Sequence, residues 1–317
     1  MSKKILITGG SGYLGRNLAK RLKNKYRIYL GSRNNQRNDL AKNETGCEAF
    51  PLDVANINSV KDAINYVKPD IIIHAAATKF VDLSEKYPLE CHDVNILGSA
   101  NIARVAIDKK IKGVIGISTD KASPPVKNIY GMSKAVMEKL FISLSNNHKT
   151  KFTCVRYGNV TWSTGSVLPI WSKMFKKNKT ILTTGPYMRR FFFTVDEAVE
   201  LVTTSLKNIN FLNGKILSKE MKSSRMIDIL KVWKKIYGGK YIIKNERKGD
   251  RIDEYLIGET ELSYSKAIFF NKKKYFLIGQ DINKSNPIKK IVSSFNAKKL
   301  SESEIKNILD NRPEEYL

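Results

Sequence analysis

The run Ile5-Leu6-Ile7-Thr8-Gly9-Gly10-Ser11-Gly12-Tyr13-Leu14-Gly15 constrains this chain more than any other stretch of it. Glycines stand at 9, 12 and 15, straight after a short apolar strand and at the opening of an amphipathic helix, Tyr13–Asn24. Glycine lets the backbone turn tightly and come close to a pyrophosphate. The start of the helix then offers unpaired amides and partial positive charge to that anion. The strand before and the helix after separate such a loop from an ordinary glycine turn. Gly9, Ser11, Gly12, Tyr13, Leu14 and Gly15 are therefore the expected dinucleotide-facing residues.

The chain after this loop keeps alternating short apolar runs with amphipathic stretches. Strands are expected at Lys4–Thr8, Tyr26–Gly31, Cys47–Pro51, Ile71–Ala75, Gly113–Ser118, Lys151–Arg156 and Gly214–Leu217. Helices are expected at Tyr13–Asn24, Ile57–Val67, Cys91–Asp108, Ile129–Asn146 and Asp196–Lys207. This alternation predicts an α/β, Rossmann-like, doubly wound and mostly parallel sheet covered on both faces. The last third is less regular, with helical patches at Arg225–Tyr237 and Glu302–Asn311 and strand-like runs at Tyr241–Lys244 and Lys274–Ile278. The expected organisation is a dinucleotide-binding domain over 1–160, with later segments returning to it, and a smaller substrate-binding lobe over most of 161–317.

Composition narrows the class. The 317 residues are 42% hydrophobic, enough for a sizeable core, and no stretch approaches a bilayer span. The basic start and its apolar run are too short for a signal peptide, so a cytoplasmic enzyme is expected. Three cysteines and three histidines, none in a metal-ligand spacing, predict neither a disulfide framework nor a metal site. The formal net charge of +26 raises the question of nucleic acid. The lysines are scattered and their clusters lack interleaved aromatics. A solvated basic surface is the better reading, with no nucleic-acid or membrane partner; it would also attract a polyanionic substrate such as a nucleotide diphosphate.

The end of the second strand reads Leu30-Gly31-Ser32-Arg33. The acid that would hold a ribose hydroxyl of NAD is missing, and Ser32 with Arg33 suits a 2′-phosphate, pointing to NADP. Asp53 is expected near the adenine, and Ala75, Ala76 and Ala77 beside the cofactor backbone. Tyr130 and Lys134 lie four apart on a helix, so they share a face. A lysine ammonium beside a tyrosine favours the phenolate, and Tyr130 is the expected proton acceptor. Thr119, at the end of the preceding strand, is placed to orient a substrate hydroxyl.

The glycine loop, Thr119 and the Tyr130/Lys134 pair resemble the extended short-chain dehydrogenases. Ser118-Thr119-Asp120-Lys121-Ala122 and Ile129-Tyr130-Gly131-Met132-Ser133-Lys134 more narrowly resemble the 5-inverting UDP-N-acetylglucosamine 4,6-dehydratases. Ala76-Ala77-Thr78-Lys79, Asn95-Ile96-Leu97-Gly98, Gly165-Ser166-Val167 and Arg190-Phe191-Phe192-Phe193 match in order along residues 3–257. The resemblance implies oxidation of a UDP-sugar at carbon 4, elimination of water across carbons 5 and 6, and return of hydride to carbon 6. It makes Lys121, as a neutral amine, the base at carbon 5 and Asp120 the acid at the departing hydroxyl. That division of labour requires a lysine lowered and an aspartate raised in pKa.

The resemblance also places Lys79 and Asn95 near the cofactor, Lys79, Asn159 and Val167 near the sugar, and Arg156 near the substrate or its supporting loop. Arg247 would face the diphosphate and Glu254 the uridine ribose, and a homo-oligomer, dimer or hexamer, is implied. Lys248, Asp253, Thr164 and Trp162 depart from the family's pattern and bear on sugar specificity. A UDP-sugar 4-epimerase or 4-keto reductase on the same scaffold is the alternative enzyme, separated by the Asp120-Lys121 pair. A non-catalytic dinucleotide sensor or a nucleic-acid binder is the alternative of another class.

Overall fold

The computed structural model describes residues 2–244, 249–279, 285–313 and 316. Six strands follow the expected alternation: β1 (Lys4–Thr8), β2 (Arg27–Ser32), β3 (Glu48–Pro51), β4 (Ile71–His74), β5 (Gly113–Ile117) and β6 (Lys151–Arg156). They pair in parallel in the order β3-β2-β1-β4-β5-β6, and strand Lys215–Lys219 extends the parallel array beyond β6. An antiparallel hairpin, Ser265–Phe270 and Lys273–Ile278, completes a nine-stranded sheet. Ile5, Leu6, Ile7, Ile72, Ile73, Val114 and Ile115 are wholly buried, as central parallel strands covered on both faces require. Strand order reverses between β1 and β4, which opens a crevice at their carboxyl ends.

Three helices on the β1–β4 stretch are α1 (Tyr13–Leu22), α2 (Asn35–Thr45) and α3 (Ile57–Val67). The sequence reading missed α2, because its run Asn-Gln-Arg-Asn-Asp-Leu-Ala-Lys-Asn-Glu-Thr buries just Asn38, Ala41 and Thr45. Its ends were legible: Asn34 caps the first turn by accepting from the Arg37 amide at 2.9 Å, and Gly46 closes it in the left-handed region. The helical stretch from Pro88 to Asp108 contains a π-helical turn at His92–Leu97. The helix Ile129–Asn147 is capped by Asn128, whose Oδ1 accepts from the Gly131 amide.

The second half of the chain is shared between two cores. Helix Val195–Lys207, strand Lys215–Lys219 and the hairpin join the main aliphatic core through Val199, Leu201, Val202, Leu217, Phe276 and Leu277. The run Lys274–Ile278, expected in the lobe, is thus a strand of the main sheet, because its partner is Lys215–Lys219. The lobe has its own core, built on aromatics: Trp171 and Phe175 meet Trp233 edge-on at 6.3 and 5.9 Å. Trp162, one of the departures, donates from Nε1 to the Ile308 carbonyl at 2.7 Å and stacks on Tyr316. It thereby fastens the terminal helix, Glu302–Asp310, onto the lobe.

Candidate active site

The glycine loop has the geometry a bound pyrophosphate needs. Gly9 sits at φ +66°, and a Cβ there would lie 2.8 Å from the Ala76 amide nitrogen. The loop closes on itself through Gly12 N–H to Gly9 O at 2.9 Å. Gly12 precedes helix α1 with no side-chain cap, and no acid stands in the first turn, so the start of the helix suits an anion. Gly9, Gly12 and Gly15, with Ser11, Tyr13 and Leu14 between them, therefore fit a dinucleotide.

A relay of hydrogen bonds fixes the facing loop. The Ala76 amide donates to Thr8 Oγ1 at 3.2 Å, Thr8 Oγ1 meets His74 Nδ1 at 2.8 Å, and His74 Nε2 meets Ser99 Oγ at 3.1 Å. Ser99 spends its own proton on the Asn95 carbonyl. The Thr8 hydroxyl therefore donates to Nδ1, and neutral His74 carries its proton on Nε2. Burial, with the nearby Lys134 charge, drops His74 to about 3.

Asn95 does not face the crevice. It is wholly buried, accepts from the Thr78 amide at 2.8 Å, and donates to Thr78 O and to Ser133 Oγ, each at 2.9 Å. It ties the Ala75–Thr78 loop to the helix of Tyr130, so it can serve a cofactor through that loop alone. Ser32 is likewise engaged, with Ser11 Oγ at 2.5 Å and Asn38 Oδ1 at 2.6 Å. Arg33 is half-exposed, 3.4 Å from Glu90. Asp53 accepts from the Ala55 amide at 3.0 Å. Lys79 is exposed, with the Arg37 charge nearby.

At the catalytic end the chain brings Thr119, Asp120, Lys121 and Tyr130 together. Thr119 Oγ1 donates to Asp120 Oδ1 at 2.9 Å and hydrogen-bonds the Tyr130 phenol. Lys121 Nζ reaches Asp120 Oδ1 at 3.0 Å and Asn159 Oδ1 at 3.5 Å. Asp120 is wholly buried, and among the described residues its Oδ2 has no hydrogen-bond partner. A Cβ at Gly158 would stand 3.2 Å from that oxygen, so glycine keeps the space in front of it open. Gly131 lets the Tyr130 helix abut the Lys121 carbonyl.

Protonation differs from expectation in two respects. Lys121 is held above the ordinary lysine value: burial pulls it down, but Asp120 and Glu254 together outweigh that. The lowered lysine expected for a ready base is absent because two carboxylates surround it. Tyr130 is pushed up to about 12 by burial, and the charge that pulls it back is that of Lys121. Lys134, expected to do so, is itself buried and lowered to about 8, its Nζ lying 3.4 Å from Met137 Sδ.

The fold sets the surroundings of Arg156 and Glu254, two further residues that the resemblance names. Arg156 is enclosed by Glu138 and Glu261, with contacts of 2.6 to 2.9 Å, and donates to the Leu256 carbonyl at 2.8 Å. Glu138 is on the Tyr130 helix and Glu261 also accepts from Ser123 at 2.9 Å, so this knot braces the site from behind. Glu254 was expected at a ribose. It is 1% exposed and meets Lys121 Nζ at 3.4 Å, beside the Asp120–Lys121 pair. Arg190 at 3.9 Å and Arg251 at 3.6 Å complete its surroundings. Sequence reasoning gave neither arginine a role, since no local pattern marks two cations that converge from separate segments. Asn159 lines the site beside Lys121, Val167 opens the helix Val167–Asn178, and Arg247 lies outside the described residues. Asp253, one of the departures, accepts two hydrogen bonds from Arg189, at 2.6 and 2.7 Å.

No helix among the described residues is long and apolar enough to cross a membrane, and no described cluster of His, Cys, Asp and Glu could hold a metal ion. A doubly wound sheet with a glycine-loop crevice and a Tyr/Lys pair beside it defines an extended short-chain dehydrogenase/reductase. The chain belongs to the family described as "Polysaccharide biosynthesis protein", which matches residues 5–274. It is 33% identical, over 98% of its length and 96% of the relative's, to a UDP-glucose 4-epimerase of Rickettsia bellii. It is 35% identical to an uncharacterized membrane protein of Methanocaldococcus jannaschii, covering 97% of this chain and 95% of that protein. The X-ray structure of Pen from Bacillus thuringiensis superposes with a TM-score of 0.89 at 27% identity, covering 100% of this chain and 98% of that one. The UDP-glucose 4-epimerase of Thermotoga maritima, solved with UDP-glucose, shares the fold at a TM-score of 0.69 and 20% identity, over 78% of this chain and 87% of that one.

Proposed function

We propose that the protein is an NADP-dependent nucleotide-sugar 4,6-dehydratase acting on UDP-N-acetylglucosamine, with inversion at carbon 5. One observation carries the reading: a buried Asp120–Lys121 pair beside Thr119 and Tyr130, with Asp120 Oδ2 unpartnered. Oxidation and reduction at carbon 4 need Tyr130 alone as proton exchanger. A second acid and base in the same pocket suit a reaction that also removes a carbon-bound proton and expels water. The nicotinamide dinucleotide, when bound in the glycine loop, supplies a hydride acceptor and donor. Tyr130 takes the proton of the carbon 4 hydroxyl while the Lys121 charge favours its phenolate. Lys121, once it has passed a proton to Asp120 across their 3.0 Å contact, takes the proton at carbon 5, and Asp120 gives the proton it received to the hydroxyl leaving carbon 6, on the side where its Oδ2 is open.

NADP is favoured by the absence of an acid at the end of β2 and by Arg33, half-exposed at that place, with Arg37 and Lys79 adding positive charge along the same rim. The lobe, with Asn159 and Val167 at its border, would cover the sugar. The basic surface suits a diphosphate.

A UDP-sugar 4-epimerase is the second reading. It is favoured by the Rickettsia relative named for that activity and by Lys121 being held as an ammonium. Incubation with UDP-N-acetylglucosamine in deuterated water, followed by proton NMR and mass spectrometry, separates the two. Loss of one water, a new methyl signal and deuterium at carbon 5 support dehydration. A 4-epimer of unchanged mass and no deuterium at carbon 5 sinks the dehydratase reading.

A further inference from the structure

We infer that Glu254 is a positioning residue for Lys121, one that sets the pH at which this lysine gains a free electron pair. The inference rests on the dehydratase reading for its use, and on geometry for its content. Glu254 is 1% exposed and arrives from a segment far from Lys121 in sequence. Its backbone is pinned on both sides of the peptide: the amide donates to Ser294 Oγ at 3.0 Å, and the Ser294 amide donates to its carbonyl at 2.8 Å. The side chain is thus delivered to one spot, with Oε1 3.4 Å from Lys121 Nζ. Its Oε2 makes no hydrogen bond among the described residues, though Arg251 Nη1 stands 3.6 Å away. A carboxylate that neither folds a loop nor saturates its oxygens, yet touches the proposed base, acts on that base.

The groups facing Lys121 are Asp120 and Asn159 at its tip, Glu254 opposite, Arg190 beyond and the Tyr130 phenol alongside. Those facing Glu254 are Lys121, Asp120, Arg190 and Arg251. Burial and Arg190 work to neutralise Lys121, whereas Asp120 and Glu254 work to keep it charged, and the carboxylates prevail. Burial in turn raises Glu254 above the ordinary carboxylate value, with the cations opposing. A charged Lys121 serves the first step, because it draws Tyr130 toward the phenolate. The same lysine must be neutral for the second. Glu254 therefore trades one step against the other.

An opposite charge within about 4–6 Å moves a pKa by about 1–3 units, so removing the Glu254 charge lowers the Lys121 titration by at least about one unit. The test titrates Lys121 in the free protein by NMR of ¹³C-labelled lysine, assigned by comparison with Lys121→Arg. The wild-type midpoint is expected above that of the exposed lysines. In Glu254→Gln it falls, and in Glu254→Asp, which keeps the charge, it stays near wild type. A Glu254→Gln midpoint equal to wild type overturns the inference. If Glu254→Gln does not fold, the wild-type titration stands alone: a midpoint below the exposed lysines overturns the inference. In turnover, deuterium incorporation at carbon 5 reaches its high-pH plateau at lower pH in Glu254→Gln. If the wild type expels no water from any UDP-sugar, the dehydratase reading fails, while the titration still judges Glu254.

Discussion

The two halves of the site are built in different ways. The cofactor side is made of backbone: glycine Cα atoms, amides at the start of α1, and a loop fixed by Thr8, His74 and Asn95. Its glycines are close in sequence, although the loop they abut lies 66 residues further on, and its shape follows from what a Cβ would hit. The catalytic side is made of charges. Asp120 and Lys121 are neighbours, but the Glu254, Arg190 and Arg251 that surround them come from the lobe side of the chain. A backbone site is specified locally and tolerates little change of shape. A charge site is specified by the fold and tolerates little change of sign. The cores repeat the contrast, since aliphatic strands carry the dinucleotide half and aromatic side chains the lobe.

The largest expected effects strike the charge side. Tyr130→Phe should cost about 10²–10⁴-fold in turnover, the range for losing a positioned proton exchanger, while cofactor affinity is unchanged by fluorescence titration. Full activity would remove Tyr130 from the site. Lys121→Ala should stop deuterium entering carbon 5 by a similar factor and still permit some oxidation at carbon 4, read at 340 nm. Normal product formation by that variant would leave the elimination without a base.

The backbone side should respond in binding. Gly9→Ala puts a Cβ against Ala76 at a positive φ, so cofactor affinity should drop by about tenfold or more, an effect of at least 1.4 kcal/mol. Retained affinity would mean that the loop moves freely. Arg33→Asp should turn the preference from NADP toward NAD without altering the melting temperature, and an unchanged preference excludes Arg33 from phosphate recognition.

The smallest effect is a pH dependence of stability. The folded chain keeps His74 neutral down to about 3, whereas the unfolded chain takes up a proton near 6.5. Its contribution is therefore complete above about 6.5 and is lost progressively as pH falls toward 3. The melting temperature should decline through that window, and His74→Gln should flatten part of the decline. An identical decline in the variant would assign the acid sensitivity to other groups.

Much of this was legible in the residues themselves. Strands β1 and β6 and helix α3 lie where the apolar periods placed them, because buried parallel strands and amphipathic helices write their burial into the sequence. The glycine spacing announced the loop, and the Tyr130–Lys134 interval put both on one helix. The polar helix α2 escaped, since it buries too little to leave a period. The run Lys274–Ile278 was read with the lobe, and strand Ser265–Phe270 was not read at all, because the strand they extend is not adjacent in the chain.

The sequence alone therefore determined the sheet, the glycine loop and which residues can carry protons. Tertiary structure decided their protonation. Lys121 is held above the ordinary lysine value because its neighbour Asp120 is joined by Glu254, distant in sequence and 3.4 Å away, and the two outweigh burial. The resemblance put Arg156 near the substrate or its supporting loop, and the fold closes Glu138 and Glu261 around it. A residue's charge depends on burial and on neighbours within a few ångströms, and neither is a property of its place along the chain.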